Sequence, residues 1–161
     1  MKSKTTRLRA WRLVAKQNII LCCAVVGMLS SGSAPVSAQA RTAFIVQSDR
    51  GGWLSQRSQE IRQMRATGQR VELRGICLSA CTMYLSLPNT CVARDASLGF
   101  HGPSRNGRRL SKRDFDHWSR VMADNYREPL RSWFMNTGRH RTWGYHTISG
   151  AELIRMGYQQ C

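Results

Sequence analysis

Gly75-Ile76-Cys77-Leu78-Ser79-Ala80-Cys81-Thr82-Met83-Tyr84 is the stretch on which the reading of this chain turns. Val71, Leu73 and Ile76 lead into it like the apolar residues of a buried strand. Cys81, Met83, Tyr84, Leu85 and Leu87 lead out of it like those of a buried helix. Ser79 falls at the joint, at the helix N-terminus. Backbone amides at a helix start lack intrahelical partners and sit at the positive end of the helix dipole. An oxyanion developing beside an attacking serine hydroxyl is therefore favoured there. A plain N-cap is the other role open to a serine so placed.

On the N-terminal side, residues 43–47 form a short apolar run of strand type, stopped by Ser48-Asp49-Arg50-Gly51-Gly52. Leu54, Ile61 and Met64 then recur at helical spacing over residues 53–66, and Gly68 closes the helix. With a strand over 70–76 and a helix over 79–87, ended by Pro88-Asn89, the order is β-α-β-α. That order predicts an α/β fold, a parallel sheet flanked by helices. Cys91-Val92 starts a further strand, and Ser97-Leu98-Gly99-Phe100-His101 runs into the turn Gly102-Pro103. From 111 to about 136, Phe115, Trp118, Val121, Met122, Tyr126, Leu130, Trp133 and Phe134 mark one long amphipathic helix, or two divided at Pro129. Residues 137–145 read as loop, and Ser149 caps a last helix over 150–156 that Gly157 stops.

The chain has 161 residues, room for one modest core, and no internal repeat. Residues 1–40 differ from the rest. Six Lys/Arg precede the apolar run Ile19-Ile20-Leu21-Cys22-Cys23-Ala24-Val25-Val26-Gly27-Met28-Leu29, and Ser, Gly, Pro and small residues follow. This is the layout of a secretory signal peptide, with cleavage after Val36-Ser37-Ala38 or Ala38-Gln39-Ala40. An uncleaved anchor is the alternative, but eleven apolar residues are short against the ~20 that span a bilayer. The expectation is a domain over 41–161 that is periplasmic or secreted and meets the membrane only through the leader before cleavage.

Loss of the leader removes six cations and no acids, leaving nineteen Lys/Arg against nine Asp/Glu, a formal +10. Eighteen of the nineteen are Arg, and Arg105, Arg108, Arg109, Lys112 and Arg113 form the one tight cluster. A solvated basic surface is the plainer reading. No stacking aromatics are interleaved with the cluster and no nucleic-acid motif appears, so no specific nucleic acid is expected. Cys77, Cys81, Cys91 and Cys161 remain, an even number suited to an oxidising compartment, and they allow three pairings. The favoured one is Cys77–Cys81 with Cys91–Cys161. A zinc site of cysteines with His101 competes poorly, because three residues between Cys77 and Cys81 do not match the usual close ligand pair. No metal and no cofactor is expected.

Gly51-Gly52, Ser79 and His101 stand in the order and approximate spacing of the Clp-type serine peptidases of the crotonase-like superfamily. Ser-Asp-Arg-Gly-Gly52 resembles their Asn-Ser-Pro-Gly-Gly turn, Cys-Leu-Ser-Ala-Cys81 their nucleophile turn, and Leu-Gly-Phe-His-Gly-Pro103 their histidine strand. Ile-Ser-Gly-Ala-Glu-Leu-Ile-Arg-Met-Gly157 resembles a late Ser/Thr-x-x-Glu-Ala-x-x-x-Gly segment. The likeness covers about residues 43 to 160 and is greatest to secreted, ATPase-independent members. It implies a reduced, single-domain version of that fold, with Ser79 as nucleophile, His101 as general base and the amides of Gly52 and Ala80 as oxyanion donors. The chemistry implied is transfer of a peptide or ester acyl group to water without an ATPase partner, in a chain able to form homo-oligomers.

One departure bears on catalysis. In the family an aspartate orients the histidine shortly before the late segment, whereas no carboxylate lies between Glu128 and Glu152 here. Loss of such a carboxylate costs on the order of 10⁴ in rate. Tyr145 could offer a hydroxyl to His101 instead, or Asp95 or Asp114 could fold back. The alternative to a hydrolase is a catalytically inactive, basic envelope protein that keeps the fold and binds a partner or an anionic polymer.

Overall fold

Strand β1 (Phe44–Asp49), helix α1 (Leu54–Thr67) and strand β2 (Val71–Leu78) follow in the expected order in the computed structural model, which describes residues 42–161. The leader and its cleavage sites lie outside the described residues. β1 and β2 pair in parallel, with Phe44 opposite Val71 and Asp49 opposite Cys77. Between them α1 ends at Gly68, whose N–H returns to the carbonyls of Met64 and Arg65. After β2 comes a 3-10 helix (Ser79–Ser86), buried at every position from Ala80 to Leu85. Its mostly apolar run, broken only by Thr82 between Ala80 and Leu85, follows from that position, packed against α1, β2 and β4 (Ser97–Phe100).

β3 (Thr90–Val92) and β4 both pair in parallel with β2, beyond different halves of that strand. The amphipathic stretch divides at Pro129 into α2 (Lys112–Ala123) and α3 (Leu130–Asn136). Ser111 caps α2 by accepting from the Asp114 N–H at 3.2 Å. A short 3-10 turn (Gly138–His140) leads to β5 (His146–Ser149), and Ser149 caps α4 (Gly150–Arg155). The sheet order is β1-β2-β4-β5, with β3 paired to β2.

β5 is a correction to the purely parallel sheet expected, because it runs antiparallel to β4. Only Ile148 of its four residues is buried, so neither alternation nor an apolar run announced a strand there. The result is a mixed α/β fold, a five-stranded sheet flanked by helices. Tyr84, Phe100, Phe134, Leu73 and Met83 are among the largest fully buried side chains of its core.

The cysteines pair as favoured, Cys77 with Cys81 and Cys91 with Cys161, at Cα separations of 5.3 and 4.9 Å. The zinc alternative thus loses its thiolates to bridges. Glu72 lies close to the Cys91–Cys161 bridge, but its carboxylate is held by Arg70 and Arg74 at 2.9 and 2.6 Å. Among the described residues no helix is long and apolar enough to cross a membrane.

Candidate active site

β2 and β4 are neighbouring parallel strands, with Ile76 opposite Ser97, Cys77 opposite Leu98 and Leu78 opposite Gly99. Ser79 follows the last residue of β2, and His101 follows the last residue of β4. Two adjacent carboxyl ends therefore deliver the two side chains to one edge of the sheet, the edge where open parallel sheets collect ligands. Ser79 Oγ and His101 Nε2 lie 2.8 Å apart. With the imidazole proton on Nδ1, Nε2 accepts from the serine hydroxyl.

Ser79 takes a left-handed backbone conformation, φ 56°, which costs a non-glycine residue on the order of 1 kcal/mol and persists only where its surroundings hold it. Three features do so. The Cys77–Cys81 bridge spans it. The Thr82 hydroxyl donates to the Ser79 carbonyl at 2.7 Å, and the buried Tyr126 hydroxyl lies 2.7 Å from Thr82 Oγ, placed to donate in turn.

The glycine turn presses on this serine from the other side. A Cβ on Gly51, whose φ is 95°, would stand 2.7 Å from the Ser79 Cβ, 2.8 Å from the Leu78 carbonyl oxygen and 3.1 Å from the Ala80 nitrogen. Only glycine fits that approach. The turn is fixed by Asp49, whose Oδ1 accepts from the Gly51 N–H at 2.8 Å while Oδ2 meets Arg57 at 2.6 Å. Arg57 donates also to Glu60 at 3.0 Å and to the Tyr84 hydroxyl, and its guanidinium lies 4.3 Å from the Tyr84 ring centroid. Gly51→Ala is expected to lower the melting temperature by several degrees, since a strained φ and a steric overlap together cost about 1–3 kcal/mol. Serine reactivity should fall with it. An unchanged melt would show that the turn does not press on Ser79 as described.

His101 is half-buried, and the loss of water around its ring holds its pKa below the ordinary imidazole value of 6.5. A backbone hydrogen bond with Gly102 pulls weakly the other way. Tyr145 meets His101 ring to ring, edge to face, with centroids 5.1 Å apart. The contact shown is thus a packed ring rather than a donated hydroxyl. Asp114 pairs with Arg113 at 3.6 Å, and Asp95 lies exposed in the turn before β4. Asp116 on α2 holds Arg139 at 2.9 Å, and the Gly102 N–H donates to the carbonyl of Arg141 at 3.0 Å.

Ser79, His101 and Gly52 open on a cavity of about 540 Å³ that Arg50, Trp53 and Arg105 also line, a volume in the range of small-molecule sites. Ala80 is fully buried behind the serine. Its amide, in the first turn of the 3-10 helix, has no carbonyl one turn back to bond. Trp53, 62% exposed, and Trp118 on α2 also flank the cavity. They place aromatics in the same cavity as Arg105, whose own stretch of sequence has none.

Several of these groups carried sequence signals of their own. Asp49, two residues before Gly51, is the side chain–backbone turn that aspartate favours. Asn106-Gly107 is the signature of a two-residue hairpin, and the structure forms it, with Arg105 and Arg108 exchanging backbone hydrogen bonds at 3.0 and 2.9 Å. Arg57 and Trp118 reach the site only through the fold. No protein-family model matches the chain, and a search of the curated proteins finds none similar to it, so the likeness to Clp-type peptidases stands on the residues quoted above.

Proposed function

We propose that this protein is an exported serine hydrolase of reduced Clp-like, crotonase-like type that transfers the acyl group of an ester or peptide to water through a Ser79–His101 dyad. The observation that carries the reading is the 2.8 Å bond between Ser79 Oγ and His101 Nε2, made at the ends of adjacent parallel strands by a serine on a strained turn.

His101 Nε2 takes the hydroxyl proton as Ser79 Oγ bonds to the substrate carbonyl carbon. The carbonyl oxygen becomes an oxyanion and is met by the amides of Gly52 and Ala80. Collapse of the tetrahedral species breaks the bond to the leaving group, which departs with the proton from Nε2 and leaves an acyl-serine. Water then gives its proton to Nε2 and its oxygen to the acyl carbon, and the second collapse returns the proton to Ser79 and frees the carboxylic acid. With no carboxylate on the imidazole, the histidine is oriented by the Gly102 backbone and the Tyr145 ring.

Export through the leader, to the periplasm or outside the cell, fits the two disulfides among the described residues. The site as drawn needs no metal, organic cofactor or ATPase partner.

Treatment of the oxidised protein with a neutral fluorophosphonate, followed by peptide mapping, tests the reading. The expected result is one adduct on Ser79 and none in Ser79→Ala. If the wild type is inert and Ser79→Ala handles ester and peptide probes as the wild type does, the non-catalytic basic binding protein becomes the better account.

A further inference from the structure

The cavity that holds Ser79 and His101 is lined by two guanidinium-bearing residues, Arg50 and Arg105, and by no carboxylate. Neither guanidinium has an ion-pair or hydrogen-bond partner among the described residues, although eight salt bridges there engage Arg57, Arg70, Arg74, Arg113, Arg131, Arg139 and Lys112. Acids are few in this chain: six of the nine, Asp49, Glu60, Glu72, Asp114, Asp116 and Asp124, are paired with other cations, and none of the nine lines the cavity. The two cations left over at the site are carried by two separate turns. Arg50 precedes the glycine turn, so its place is set by the Asp49–Gly51 bond. Arg105 is carried by the Asn106-Gly107 hairpin, whose central residues have φ 52° and 74° and whose strands are closed by the Arg105–Arg108 bonds. Trp53, Leu54, Leu110 and Trp118 supply apolar lining to the same cavity.

A small cleft with unpaired cations, no acids and low-dielectric walls concentrates anions. We propose that the ligand of the Ser79–His101 cavity is an anion with an apolar stem: an ester or amide whose acyl chain carries a carboxylate, its hydrolysable part resting on the reading of the site as a hydrolase. The carboxylate meets Arg50 and Arg105, each able to present paired N–H donors to it. The stem lies on the indole and leucine walls, and the scissile carbonyl reaches Ser79. This sets a substrate class that serine chemistry alone leaves open.

Three matched anilides separate the proposal from its rivals: adipic acid monoanilide, hexananilide and 6-aminohexananilide, the same apolar amide with an anionic, a neutral and a cationic end. Each is titrated calorimetrically into the oxidised wild type, Arg50→Gln, Arg105→Gln and Arg62→Gln. Arg62, exposed on α1 and not lining the cavity, controls for net charge. The expected result is an anionic-over-neutral preference of about tenfold in the wild type, with the cationic analogue weakest, since a charged hydrogen bond to carboxylate contributes on the order of 1.5 kcal/mol. That ratio should fall by about threefold or more in Arg50→Gln and in Arg105→Gln and stay unchanged in Arg62→Gln. It should also shrink as salt shortens the screening length from about 30 to about 3 Å.

Equal affinity for the three analogues, or an Arg62→Gln effect as large as the other two, overturns the proposal. Fluorophosphonate labelling of the same wild-type preparation reads the hydrolase chemistry separately. An inert serine with the anion preference intact supports the ligand class and removes the chemistry, whereas a reactive serine without the preference overturns the ligand class and keeps the chemistry.

Discussion

Replacing His101 by alanine is expected to slow phosphonylation of Ser79 by about 10²- to 10⁴-fold, the usual contribution of a positioned general base. A serine hydroxyl attacks slowly unless its proton is taken as the bond forms. Besides His101, the titratable side chains lining the cavity are arginines, which stay protonated and accept nothing, so there is no spare base. The dependence on pH follows from burial. Desolvation disfavours the imidazolium, so His101 remains neutral, and able to accept a proton, to a lower pH than an exposed histidine. The labelling rate should therefore hold as pH falls through 6.5 and decline only below that value. An acid limb centred above it, or an alanine variant that labels at the wild-type rate, would remove His101 from the base role. Tyr145→Phe keeps the ring against the imidazole and is expected to label much as the wild type does. Tyr145→Ala loses an edge-to-face contact of about 0.5–1.5 kcal/mol and should slow labelling by up to about tenfold.

Loss of the Cys91–Cys161 bridge is expected to be the largest single blow to stability. It closes a loop with a sequence separation of 70, for which chain-entropy arguments give about 4 kcal/mol, against about 2 kcal/mol for the separation of 4 across Cys77–Cys81. In a domain of this size that larger figure corresponds to a fall in Tm on the order of 15 °C. The Cys91→Ser/Cys161→Ser protein should therefore melt well below the Cys77→Ser/Cys81→Ser protein. The ranking by reactivity should be the reverse, because the short bridge encloses Ser79 and helps hold its left-handed backbone. Calorimetry and labelling rates at a temperature where both variants are folded measure the two orders. Equal melting temperatures would count against the loop-length argument, and wild-type reactivity in the Cys77→Ser/Cys81→Ser protein against the clamp.

What could be read from the sequence follows the reach of the interactions. Helix α1, its glycine stop and the break at Pro129 were legible because periodicity, capping and a fixed proline φ act over a few residues. So was the serine at the β2–helix joint, where one apolar run ends and another starts. β5 was not, since a four-residue strand with one buried side chain is held by its partner β4 rather than by its own pattern. The Ser79–His101 pair could be named only by resemblance, because its 2.8 Å contact depends on pairing between strands that follow each other in space but not directly in sequence. Arg57 illustrates the limit. It looks like any exposed helix arginine, and its work on Asp49, Glu60 and Tyr84 becomes visible only once α1 lies beside the 3-10 helix.

The β2–β4 pairing ties chemistry to sheet alignment. Three residue pairs set the register between those strands. A slip of one position would carry His101 about 3.3 Å along the strand and turn its side chain to the opposite face of the sheet. The serine–histidine bond has no tolerance for that displacement, whereas helix content and overall compactness would hardly register it. A refolded sample can therefore look native by circular dichroism and by size while its strands are misaligned. With the serine chemistry proposed above, titration of Ser79 by phosphonate is expected to count the molecules whose central strands have found their correct neighbours.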